Sequence, residues 1–106
     1  MVEEVKHDGR KVRIGGRDYI IPALSFRLLR VLEADLKLVG GGPETPETRA
    51  AALRVITACI RRNYPDVTEE QMEDELDLRN VMQVIEAIRG ESGMEILQRG
   101  EAVPPQ

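Results

Sequence analysis

The sequence predicts an α+β fold in which an N-terminal β-hairpin is followed by three to four helices. Two short runs rich in β-branched residues flank a Gly-Gly pair near the N-terminus, which is typical of a tight hairpin. Downstream, apolar residues recur every three or four positions, and each such stretch begins at a residue that can cap a helix. With 106 residues, the chain suits one small domain. We expect this domain to span residues 1–97 and residues 98–106 to form a flexible tail.

The predicted hairpin turns at the Gly-Gly pair of residues 15–16. A two-residue loop pairs Val12 with Tyr19, which places the apolar side chains of both strands on one face. Because an isolated hairpin is marginal in water, that face must pack against the helices. A second turn signal, the Asp-Gly pair of residues 8–9, leaves open a three-stranded meander in which Val5 pairs with Val12.

Four stretches of the chain predict helices, and each has its own start signal. The expected N-cap residues are, in order, Ser25, Thr45, Thr68 and Asp77. The first helix is expected to run unbroken to about Val39, before a glycine-rich connector at residues 40–43. The last helix is expected to close at Gly90 and Gly93.

The charge of the chain is unevenly distributed around a net value of −4. Residues 1–30 carry seven Lys or Arg against four Asp or Glu, whereas residues 69–106 carry three against ten. Such polarity can steer head-to-tail self-association or attract a charged partner, although ordinary solvated faces would also produce it.

Composition also excludes several functional classes. Acidic balance, three aromatic residues and no Trp argue against a nucleic-acid partner, which needs positive charge and stacking surfaces. No apolar run approaches the roughly 18 residues of a membrane span, so no membrane partner is expected. A single Cys makes a reducing cytoplasm the default compartment.

No set of residues predicts catalysis, a metal or a cofactor. His7 is the only His and has no Cys or acid at ligand spacing, so we expect it to be solvent-exposed. Cys59 lies on an apolar helical stripe without a second His to activate it. The acidic run at residues 69–77 lacks the oxygen-rich loop of a calcium site and is interpreted as a solvated face. We therefore predict that the protein is not an enzyme.

Four stretches of the chain recur in one known family. A strand ending in Pro leads into a Leu-rich helix at residues 19–25, and an Asn-Tyr-Pro-Asp-x-Thr motif lies within residues 62–70. Leu-Asp-Leu-Arg-Asn follows at residues 76–80, and Gly-Glu-Ser-Gly at residues 90–93. From about residue 18 to residue 93, the sequence resembles a tail assembly chaperone of a long-tailed bacteriophage or prophage.

The resemblance implies a non-enzymatic protein of the bacterial host cytoplasm that is absent from the mature virion. Such chaperones bind the tape measure protein, keep its long helices soluble and help to recruit tail-tube subunits. Relatives are often made in two lengths through a translational frameshift. The resemblance implies no cofactor.

Wide apolar stripes and adaptable methionines could supply a surface for such a client. The candidate partner-binding residues are Val31, Leu38, Met72, Met82 and Met94. We expect Leu32, Ile56 and Ile85 to fill the core instead. The residues leave open a homo-oligomer, and they also leave open a head–tail or tail structural adaptor that stays in the particle, or a host-directed phage inhibitor.

Overall fold

The N-terminal hairpin and five helical segments form the fold of the computed structural model, which describes residues 5–39 and 44–92. The strands are β1 (Gly9–Ile14) and β2 (Arg17–Pro22). The helices are α1 (Phe26–Val31), α2 (Glu33–Val39), α3 (Pro46–Ile60), α4 (Glu69–Glu75) and α5 (Asn80–Ser92). This order confirms the predicted α+β class, with the hairpin preceding the helices.

The hairpin has the predicted antiparallel register. Val12 lies opposite Tyr19, and the exposed Arg13 and Asp18 beside them form an ion pair with an N–O distance of 3.2 Å. Gly15 and Gly16 have φ angles of +58° and +79°, which is the left-handed backbone that a two-residue turn of this hand requires. The two-residue Gly-Gly turn therefore determines which residues of β1 and β2 pair.

The third strand of a meander is absent from the described part of the N-terminus, where residues 5–8 are not a strand. The Asn63 amide instead accepts a hydrogen bond from the His7 N–H at 2.7 Å and donates to the His7 carbonyl at 2.8 Å. The same Nδ2 atom donates to the Ile20 carbonyl at 3.0 Å, so His7 lies beside β2. These bonds hold the segment where it cannot pair with β1.

The core lies between the apolar face of the hairpin and the inner faces of α3 and α5. The hairpin contributes Val12, Ile14, Tyr19 and Ile21, all buried. Around them pack Val55, Ile56, Cys59 and Ile60 of α3, and Val84, Ile85, Ala87 and Ile88 of α5. The buried positions of Leu32, Ile56 and Ile85 confirm their assignment to the core.

The predicted N-caps Ser25, Thr45 and Thr68 each directly precede a helix, whereas Asp77 lies in the turn before α5, which begins at Asn80. All four side chains make the same kind of bond. An oxygen of each side chain accepts a hydrogen bond from the backbone N–H three residues later, at 2.8 to 3.1 Å, in Ser25, Thr45, Thr68 and Asp77. Each bond satisfies one of the donors that a helix start leaves without an intrahelical partner.

Two helix predictions need correction. The helix expected from Ser25 to Val39 is divided at Leu32, whose φ of −101° and ψ of 15° depart from helical values. Leu32 is the only fully buried residue of the segment 26–39, and Leu28, Leu29, Leu36 and Val39 pack against the core on either side of it. Gly90 does not close the last helix but lies within α5.

Several predictions lie outside the described residues, namely the connector at residues 40–43, the stop at Gly93 and the tail at residues 98–106. Across the part of the chain that is described, no helix has the length and apolar content needed to cross a membrane.

Candidate functional site

The connection between α4 and α5 is a short turn that its own side chains hold in place. Asp77 Oδ1 accepts hydrogen bonds from the backbone N–H groups of Arg79 and Asn80 at 2.9 and 2.8 Å. Asn80 Oδ1 accepts in return from the Asp77 N–H at 2.8 Å, and its Nδ2 donates to the Glu75 carbonyl at 3.0 Å. Between these partners stands Leu78, which is 73% exposed. An ordered turn thus presents an apolar side chain to solvent.

A groove of about 590 Å³ lies between this turn and the first half of α3. We call it the α3–α5 groove. Its apolar lining consists of Pro46, Ala50, Ala52, Leu53, Leu76, Leu78 and Val81. Ala52, Leu53, Leu76 and Val81 are only partly buried, although they also pack against the core. The groove is therefore an apolar surface that residues 5–39 and 44–92 leave open.

The rim of the α3–α5 groove carries charge. Arg49 and Glu44 form an ion pair with each other at the α3 side. Glu73 and Asp77, both exposed, line the opposite side. Once the ion pair is set aside, the groove presents two carboxylates and is acidic.

The prediction that Met72 binds a partner is wrong. Met72 is fully buried, because the Thr68 cap sets the first turn of α4 so that the fourth helical residue faces the core. Val67, which precedes the cap, is buried as well. Both belong to the same core cluster, as expected of a hydrophobic staple.

The other candidate residues do not converge on one site. Val31 and Leu38, on α1 and α2, are 61% and 43% exposed. Met82 is 63% exposed and lines a second depression of about 420 Å³ between β1 and α5, which we call the edge groove. Met94 lies outside the described residues. Val31, Leu38 and Met82 thus remain candidates on two separate surfaces.

Sequence reasoning missed two exposed apolar residues, Leu78 and Phe26, of which Phe26 is 91% exposed. Leu78 could have been found from the Asp77 cap signal, which places it in the connection between two helices, because connecting segments run over the protein surface. Nothing comparable in the sequence marks Phe26, which follows the Ser25 cap directly.

Cys59 lies in surroundings unsuited to nucleophilic chemistry. The Cys59 thiol donates a hydrogen bond to the Pro22 carbonyl at 2.9 Å, and burial raises its pKa to about 12. His7 is partly buried rather than exposed as expected. Desolvation, with the positive charges of Arg62 and Lys6, lowers the pKa of its imidazole. Among the described residues, no group of three or more His, Cys, Asp and Glu could hold a metal ion.

The α3–α5 groove is therefore the site with the clearest capacity to bind another molecule. It combines an apolar floor, an ordered wall and a charged rim, a combination typical of surfaces that receive a partner protein. Comparisons with models of protein families, with curated proteins and with solved structures find no match for this chain.

Proposed function

We propose that this protein is a non-enzymatic tail assembly chaperone of a long-tailed bacteriophage or prophage. In this proposal it binds the tape measure protein in the host cytoplasm, helps to recruit tail-tube subunits and is absent from the finished virion. The motifs at residues 62–70, 76–80 and 90–93 motivate the assignment.

One observation carries the proposal, and this is the open α3–α5 groove. A chaperone of a long helical client must offer apolar surface in the folded monomer, because it covers a client face that would otherwise aggregate. Leu53 and Leu76 supply such a surface in the floor, and Leu78 supplies it on an ordered turn. An ordered binding surface loses little conformational entropy when it is occupied.

The groove is better suited to a protein segment than to a small substrate. Small-molecule sites bury most of their ligand and direct several polar groups at it. Here Leu78, Glu73 and Asp77 are exposed, and one oxygen of the Asp77 carboxylate, Oδ1, already accepts two hydrogen bonds within the turn. The shape therefore favours one face of a larger partner.

Co-expression with the tape measure protein of the same gene cluster tests this function. We expect the client to be insoluble alone, and to become soluble and copurify when the wild-type chain is present. Leu78→Asp should abolish copurification, because it places a carboxylate where an apolar contact is needed. Phe26→Asp is the matched control, since Phe26 is exposed but does not line the groove.

A client that stays soluble alone and fails to copurify would contradict the chaperone function. Purified virions separate the structural-adaptor alternative, because an adaptor must be present in them and a chaperone must not.

A further inference from the structure

The charges around the α3–α5 groove restrict what can occupy it. Residues 69–77 contain six Asp or Glu and no Lys or Arg. Two of these acids, Glu73 and Asp77, line the groove on the side opposite to the ion pair of Arg49 with Glu44. A partner that covers Leu78 must approach these carboxylates, so cationic groups at its edge would be attracted and anionic groups repelled.

The lining also restricts the backbone of the occupant. All lining residues belong to α3, α4, α5 or the segments that border them, and none belongs to β1 or β2. Among the described residues, no strand edge is therefore available there to pair with an extended peptide. A segment that loses water in this groove must satisfy its own backbone N–H and C=O groups, which an α-helix does.

We propose that the α3–α5 groove binds one amphipathic helix of a partner protein, whose apolar face is bordered by Lys or Arg on the side that meets Glu73 and Asp77. The inference rests on the proposed function only for the identity of the client. The chemistry of the bound segment follows from the groove itself.

Two synthetic peptides of 18 residues, each about 27 Å long as a helix, provide the test. Both carry Leu at positions i, i+3, i+4 and i+7 of successive turns, and they differ only in having Lys or Glu beside the Leu stripe. Fluorescence anisotropy with labelled peptides should show at least fivefold tighter binding of the Lys peptide at 0.1 M salt. This preference should shrink at 1 M salt, because exposed charges are then screened.

Reversing the charge of Glu73 tests whether the preference for the Lys peptide arises at the α3–α5 groove. Glu73→Lys should reduce the preference for the Lys peptide at least threefold. Asp74→Lys is the matched control, because Asp74 is exposed on the same helix and does not line the groove. Circular dichroism and thermal unfolding of both variants confirm that they are folded.

Equal affinity for the two peptides, tighter binding of the Glu peptide, or no binding of either would overturn the inference. So would an equal loss of preference in the Glu73→Lys and Asp74→Lys variants. Binding of the Lys peptide without copurification of the tape measure protein would refute the proposed function and leave the inference standing. Copurification of the tape measure protein without any preference between the peptides would support the proposed function and refute the inference.

Discussion

The surfaces near the two ends of α3 differ in how completely other parts of the chain cover them. At the C-terminal end of α3, Asn63 and Tyr64 cover the outer edge of β2. The Tyr64 hydroxyl accepts a hydrogen bond from the Ile20 N–H at 2.9 Å, and Asn63 binds the Ile20 carbonyl. The Tyr64 ring also meets the Tyr19 ring edge to face at 5.1 Å between centroids. At the N-terminal end of α3, the described residues leave apolar surface uncovered in the α3–α5 groove.

This difference separates residues that maintain the fold from residues that are available for binding. The Asn-Tyr pair within residues 62–70 is occupied by contacts inside the chain. In residues 76–80, Asp77 and Asn80 hold the turn, whereas Leu78 remains exposed. At the end of α5, Ser92 Oγ accepts a hydrogen bond from the Leu24 N–H at 2.9 Å. Most residues in the motifs that carry the resemblance therefore stabilise the fold through contacts inside the chain. Leu78 is the exception, because its side chain is exposed.

The largest expected effect contrasts Met72 and Met82, two methionines that were both candidates for partner binding. Met72→Ala should lower the free energy of unfolding by about 3 kcal/mol, because it removes a fully buried side chain and leaves a cavity. Met82→Ala should change it by less than about 0.5 kcal/mol, since Met82 is 63% exposed. Urea denaturation measures both values. Equal losses of unfolding free energy in the two variants would mean that Met72 is not a core residue.

A second pair of variants compares the same substitution at Asn63, which follows α3, and at Asn80, which is the first residue of α5. Asn63→Ala should cost about 2 kcal/mol, because it leaves three partly buried backbone groups without their partner. Asn80→Ala should cost about 1 kcal/mol, since water can replace its bonds on the more exposed turn. Chemical denaturation of both variants tests the order. A larger loss of unfolding free energy in Asn80→Ala than in Asn63→Ala would contradict the claim that the contacts of Asn63 stabilise the fold more.

A smaller effect concerns the ion pair that joins α2 to α3. Arg54 donates to both carboxylate oxygens of Asp35, at 2.9 and 2.7 Å. Hydrogen bonding by Arg54 is the main cause that lowers the pKa of Asp35 below its usual value. The stabilisation is therefore present above the ordinary carboxyl range and is lost as the pH falls through the lowered pKa.

The Asp35 prediction is tested by the stability of wild type relative to Asp35→Asn. The difference should be constant near neutral pH and should shrink below about pH 4. Because the Arg54 side chain is 45% exposed, high salt should weaken the difference as well. A difference that grows in acid would contradict the direction of the pKa shift.

The smallest effect on stability is expected at Leu78. Leu78→Ser removes a side chain that is 73% exposed, so the free energy of unfolding should change by less than about 0.5 kcal/mol. Affinity for the Lys peptide should nevertheless fall about tenfold or more, since a buried Leu contact contributes about 1.5–3 kcal/mol. A variant that unfolds easily but binds normally would show that Leu78 serves the fold.

Local features of the fold followed from the sequence, whereas the groove did not. The register around Gly15 and the N-cap at Thr68 depend on neighbouring residues, which the sequence displays directly. The division at Leu32 has no counterpart in the sequence, where no Gly or Pro interrupts residues 26–39. The burial of Met72 accords with the local cap and staple pattern of Val67 and Thr68. The opening beside Leu53 depends on how α3, α4 and α5 pack, and no local pattern encodes it.

The most direct test of the central claim maps the binding of the Lys peptide onto the ¹⁵N-labelled chain by NMR titration. We expect the amides of residues 47–53 and 73–81 to shift or broaden, while those of residues 11–18 and 26–31 stay unchanged. Changes concentrated on β1 and β2, or on α1, would contradict the claim that the open side of α3 is the binding surface.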